Sequence, residues 1–107
     1  MSGKSLYKVV FLNHGRIYEL YARRVSSSSL WGFTEVAGLV FGITEGLVVD
    51  PGEERLRAEF AETRVLHLPM QSVLRVEEVD RPGQSAIRDA ASGERVVTPF
   101  PLPAKPR

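Results

Sequence analysis

The sequence predicts a mainly β domain: a small, strongly bent sheet or SH3/Sm-like barrel of about five strands, with one short helix and a proline-rich C-terminal tail. Three observations carry that expectation. Residues 6–12, Leu-Tyr-Lys-Val-Val-Phe-Leu, and residues 17–25, Ile-Tyr-Glu-Leu-Tyr-Ala-Arg-Arg-Val, are rich in strand formers and flank the turn signal Asn13-His14-Gly15-Arg16. Residues 64–80 hold two further β-branched runs, Val65-Leu66-His67-Leu68 and Val73-Leu74-Arg75-Val76, separated by Pro69, which fixes φ and lacks an N–H. Only the stretch after Asp50 opens like a helix.

The first hairpin has a period of two. Tyr7, Val9 and Phe11 share one face, and Tyr18, Leu20 and Ala22 share a face of the return strand. Ile17, Glu19, Tyr21 and Arg23 point the other way. Four serines, Ser26 to Ser29, compete for backbone hydrogen bonds and predict a loop leading to Leu30 and Trp31. Gly32 to Ile43 reads as a third strand, with Gly38 and Gly42 as bend sites that let a strand curl. Thr44-Glu45-Gly46 is a turn and Leu47-Val48-Val49 a short strand.

Asp50-Pro51-Gly52-Glu53 offers an N-cap, a proline at the first helical position and a capping-box glutamate. A helix over 51–61 follows, with Leu56 and Phe60 one turn apart. Leu56, Ala58 and Phe60 also alternate with charged residues, which fits a strand; the start signal favours the helix. In the last hairpin Leu74 is expected in the core. Domain boundaries follow: a β-rich domain over 5–80, then a tail over 81–107, flexible or strapped onto the domain by Phe100 and Leu102. Pro99, Pro101, Pro103 and Pro106 make that tail extended.

A chain of 107 residues supports one core. It has no cysteine, so disulfides and thiolate chemistry are excluded. No signal-peptide core or membrane-length apolar run is visible, and a cytoplasmic protein with no membrane partner is expected. The net charge of +1 hides a segregation. Residues 1–33 hold five basic side chains against one acidic, residues 34–80 four against ten, and residues 81–107 five against two. Folding can neutralise the segments against one another, or leave a basic face on the first hairpin and tail.

No constellation offers a nucleophile with its base, a metal shell or a phosphate cradle, so no catalytic, cofactor or metal residue is assigned and no cofactor is expected. His14 and His67 lie in a turn and a strand; a His67–Glu77 pair across the last hairpin is the one acid–base arrangement the spacing allows. The serines lack a nucleophile elbow. Gly38, Gly42 and Gly46 match neither a P-loop nor a dinucleotide fingerprint. Asp50, Glu53 and Glu54 lack calcium-loop spacing and suit a helix N-terminus without any ligand. The one binding constellation is basic and aromatic: Lys8, Arg16, Tyr21, Arg23 and Arg24 on the first hairpin, with Trp31 nearby. Such a set could hold RNA or single-stranded nucleic acid by stacking and phosphate contacts, although half of the hairpin tyrosines must face the core. Phe100 and Leu102 in the tail are candidate partner-binding residues.

Tyr7-Lys8-Val9-Val10-Phe11, Gly15-Arg16-Ile17-Tyr18-Glu19-Leu20-Tyr21-Ala22, Trp31-Gly32-Phe33, Val49-Asp50-Pro51 with Glu54, Leu68-Pro69, Val76-Glu77-Glu78-Val79 and Thr98-Pro99-Phe100-Pro101 carry a resemblance. On these residues the chain resembles a family of small proteobacterial proteins classed as a domain of unknown function. The resemblance covers most of the chain and implies a Gram-negative cytoplasmic origin, with no activity to transfer. The inferred strand order is also similar to Sm-like or SH3-like barrels, without the usual Sm signature residues. The expected function is a non-catalytic interaction module, a regulator or adaptor that binds a protein partner or self-associates. Nucleic-acid binding through the first hairpin is the alternative, and a His67-based hydrolase a third.

Overall fold

The first hairpin forms as its turn chemistry dictates. β1 (Tyr7–Asn13) and β2 (Arg16–Ser27) are joined by His14 and Gly15, both at positive φ (55° and 74°), the backbone that a two-residue type I′ turn requires. This register sets Val9 opposite Leu20 and Phe11 opposite Tyr18, and all four side chains are buried. The computed structural model describes residues 5–41 and 51–93. Within them the remaining elements are β3 (Phe33–Val40), α1 (Pro51–Glu59), β4 (Val65–Pro69), a 3-10 turn (Met70–Ser72), β5 (Val73–Glu78) and β6 (Ala86–Asp89).

All six strands lie in one antiparallel sheet, ordered β4-β3-β2-β1-β5, with β6 added beside β2. The sheet is curled and open. Its edges, β4 and β5, are consecutive in sequence and joined only by the 3-10 turn. β2 is the hub. One of its edges pairs with β1; the other pairs with β6 over Arg16–Glu19 and with β3 from Tyr21 to Ser27. A strand of 12 residues is long enough to serve two partners in succession. The bend at Gly38 falls where the sequence places it. Gly38 has φ 70°, and a Cβ there would lie 3.0 Å from the Arg23 Cβ. The ladder skips this pair, between Ala22–Leu39 and Arg24–Ala37.

The expected helix is helical, settling the ambiguity at Leu56-Ala58-Phe60. Leu56 is fully buried against the concave side of the sheet, in one cluster with Phe11, Tyr18, Leu20 and Ile87. Each such side chain contributes on the order of 1.5–3 kcal/mol by leaving water. Tyr18 fixes the helix further. Its ring stacks on Phe11 (centroids 5.0 Å) and meets Phe60 edge-on (6.2 Å), and its hydroxyl donates to a Glu59 carboxylate oxygen at 3.3 Å. Burial pushes the Tyr18 phenol above its ordinary value, and the Glu59 charge adds to that; a hydrogen bond with Asn13 and the Arg16 charge pull the other way.

Four expectations are corrected. The serine run is not all loop: Ser26 and Ser27 close β2, because Glu35 and Thr34 of β3 supply ladder partners. The third strand spans Phe33–Val40, shorter at each end than the 32–43 expected; residues 42–50, with the proposed turn and short strand there and the Asp50 cap, lie outside the described residues. Leu74 is not core. It is 53% exposed, because a bulge in the β1–β5 pairing steps from Val10–Arg75 to Phe11–Val73 and leaves Leu74 unpaired. Finally, the sheet continues past residue 80. Gly83 lies against Tyr21, Ser85 is buried, and Ala86–Asp89 form β6 with Ile87 in the core. The Ser85 N–H donates to the buried Glu53 carboxylate at 3.3 Å, tying this segment to α1. A four-residue strand is too short to show a period, which is why the sequence hides it.

In equilibrium denaturation, Leu74→Ala should change stability by no more than about 0.5 kcal/mol. Leu20→Ala and Ile87→Ala should each cost about 2–5 kcal/mol. A silent Ile87→Ala would mean that β6 is not part of the domain. Because the folded state holds the Tyr18 proton more tightly than the unfolded chain, this stability is complete below the model-compound value of 10.0 and falls as pH rises above it. Stability measured from pH 8 to 11 should decline at the alkaline end, and Tyr18→Phe should flatten that decline.

Candidate functional site

The first-hairpin constellation separates once folded. Tyr21 is only 8% exposed, with its ring end under Gly83, so it offers no stacking face. Lys8 reaches Glu19 at 3.9 Å, and Glu19 also accepts from Arg88 of β6 at 3.1 Å. Arg24 bonds Glu35 at 2.9 Å. Arg16 is half-buried near the Tyr18 hydroxyl, and Arg23 is exposed beside Gly38. Glu19 of the hairpin itself and Glu35 of the acidic middle thus neutralise part of its basic charge. Phe100 and Leu102 lie outside the described residues.

The histidines do not meet each other. His14 is at the exposed turn that starts β2, whereas His67 lies near its far end. Nor does His67 pair with Glu77, whose carboxylate is held by Arg75. Strands β4 and β5 do not pair with each other, so the hairpin that would set the two side by side does not form. His67 Nδ1 instead lies 2.7 Å from Ser28 Oγ. Leu30 N–H donates to the same Oγ at 2.8 Å, so the hydroxyl hydrogen is free to point at the imidazole. Among the described residues no cluster of three or more His, Asp or Glu is arranged to hold a metal.

That Ser28–His67 contact anchors the most exposed aromatic of the described chain. Phe33 N–H donates to Leu30 C=O at 3.1 Å, closing a four-residue turn with Trp31 and Gly32 at its centre. Gly32 has φ 81°, which the third position of a type II turn demands and which other residues adopt only with strain. Trp31 is therefore carried at the tip, 95% exposed. Ser28 N–H closes the loop onto Phe33 C=O at 3.1 Å, and Met70 N–H donates to Gly32 C=O at 2.9 Å. The last bond brings Met70, itself 59% exposed, beside the turn. Together with Leu30 they make an apolar apex, with an open cleft of about 650 Å³ between Trp31-Gly32 and Met70-Gln71. A second cleft of about 500 Å³, between Phe41 and Phe60 with Arg57 and Arg64 at its rim, lies where the described chain breaks at residue 42.

Of the predicted site residues only Trp31 belongs to the apex. Leu30 and Ser28 join it within the same loop, whereas Met70 and His67 reach it through pairings with Gly32 and Ser28 between 30 and 40 residues apart, which no local motif announces; Gly32 after an aromatic was the available turn signal. Residues 5–102 match the family described as a domain of unknown function (DUF1820). The chain belongs to that family. Comparison of this DUF1820 chain with curated proteins and with solved structures returns no match. No helix among its described residues is long and apolar enough to cross a membrane.

Ser28→Ala removes the acceptor for Leu30 N–H and the partner of His67 while leaving the sheet intact. It should cost about 1–2 kcal/mol and speed hydrogen exchange at Leu30 without affecting Leu20. Equal acceleration at both positions would show a global effect instead.

Proposed function

We propose that this protein is a non-catalytic interaction module, a cytoplasmic regulator or adaptor, that engages a protein partner or another copy of itself through the Leu30–Trp31–Met70 apex. The near-complete exposure of Trp31 carries this reading. Tryptophan leaves water at a large gain when a partner covers it, and it is among the residues that dominate binding energy at interfaces. A surface tryptophan on a loop tied by five hydrogen bonds is already oriented, so little ordering entropy opposes docking. The strand order and the 3-10 link between β4 and β5 favour an SH3-like or Sm-like topology, a scaffold that presents such loops on a rigid sheet.

Nucleic-acid binding is the competing outcome, since an open indole can also stack on a base. Its expected phosphate contacts are weakened by the pairing of Lys8 and Arg24 with carboxylates. A photo-crosslinking amino acid placed at position 31 of the full-length protein, activated in living cells, separates the readings. Protein adducts that disappear when Met70 is changed to Asp are expected. Adducts to RNA would favour the alternative, and a uniformly unlabelled product would contradict docking at the apex.

A further inference from the structure

The apex has polar groups to spare. Among the described residues neither the Trp31 indole N–H nor the Gln71 side-chain amide has a hydrogen-bond partner, and both border the cleft beside Met70. An apolar plate edged by donors suits one kind of peptide above others. A proline-rich segment is extended before it binds, loses little entropy on docking, and carries carbonyls with no internal partner. This chain contains such a segment, Thr98-Pro99-Phe100-Pro101-Leu102-Pro103. It lies outside the described residues and enters by sequence alone.

Where the described chain stops bears on whose apex that segment reaches more readily. Ala90 N–H donates to Gly15 C=O at 2.9 Å and Gly93 N–H to Asp89 C=O at 2.7 Å, which leaves Gly93 beside the β1–β2 turn. The apex is beyond the other end of β2, a strand of 12 residues that spans at most about 36 Å and less for the bend at the Arg23–Gly38 pair. From Gly93 to Pro99 is six steps, at most about 21 Å of fully extended chain, and Phe100 gains only one step more. To reach its own apex this linker would have to run close to full extension along the sheet, whereas the segment of a second copy is under no such constraint.

We infer that the Trp31–Met70 apex receives the Pro99–Pro103 segment of a second copy of this chain. The inference rests on the apex being a docking surface and names its occupant. The prolines lie on the Trp31 and Met70 faces, Phe100 and Leu102 extend the apolar contact into the cleft, and the Trp31 and Gln71 donors take carbonyls of the incoming backbone. Reciprocal exchange of the segment closes a two-fold pair, because each copy carries both the apex and the segment.

Trp31 is the only tryptophan of the sequence, so its emission reports on the apex alone. The probe is a synthetic peptide of residues 96–106, titrated into dilute full-length protein. A saturable blue shift of Trp31 emission is expected. The full-length protein alone should show the same shift as its concentration rises, with a doubling of mass by light scattering. The P99A/P101A/P103A variant of the full chain, which alters none of the described residues, should lose both. Unchanged emission up to about 1 mM peptide overturns the inference. If the position-31 crosslink still captures another protein in that case, the occupant is wrong and the docking surface stands; if that crosslink also fails, both readings fall. A mass doubling that survives the proline substitutions likewise overturns it.

Discussion

The length of β2 is the constraint on which the rest of this structure depends. Because it runs from Arg16 to Ser27, one of its edges accepts β6 near the hairpin and β3 beyond it, while the other holds β1. Three strands are thereby fixed to one. The sheet bends within the β3 section, at the Arg23–Gly38 pair that the ladder skips, where φ is positive and a Cβ would crowd Arg23. The concave side so formed takes Leu56 of the helix, and the far end of β2 carries the loop on which Trp31 stands.

Charge placement follows the same scaffold. The basic first hairpin and the acidic middle of the chain look segregated along the sequence, yet antiparallel pairing brings Glu35 of the middle to Arg24, while Lys8 meets the hairpin's own Glu19. Arg88 joins Glu19 from β6, so a residue of the nominal tail completes a contact of the hairpin. Exposed pairs of this kind contribute little to stability. Their consequence is functional: they reduce the free positive charge of the hairpin and leave the uncharged apex as the more distinctive surface. Beyond the Arg24–Glu35 pair, the far end of β2 leads to an apolar tip on a hydrogen-bonded loop.

What could be read from the sequence was what is local. The His14-Gly15 turn, the alternation through Val9, Phe11, Tyr18 and Leu20, the helix start at Pro51 and the Pro69 break each act within a few residues, and each appears in the structure. Two features hid because they depend on distant partners. β6 is four residues long and is a strand only because β2 offers an open edge. The apex needs Met70 to pair with Gly32 and His67 with Ser28, contacts fixed by the order of strands in the sheet. Leu74 misled for a related reason: an apolar residue in a strand faces the core only while the register is regular, and the bulge beside Val10 breaks it.

The central claim is that Trp31 is held out to solvent by a loop that is itself fixed. Amide hydrogen exchange of Leu30, Phe33 and Met70 in the full-length protein tests it most directly, since hydrogen bonds to Ser28 Oγ, Leu30 C=O and Gly32 C=O are what would shield these N–H groups. Protection of all three, well above unstructured-peptide rates, is the predicted result. Exchange at unstructured rates in Leu30 and Phe33, with β2 still protected, would show a loose loop and contradict the account.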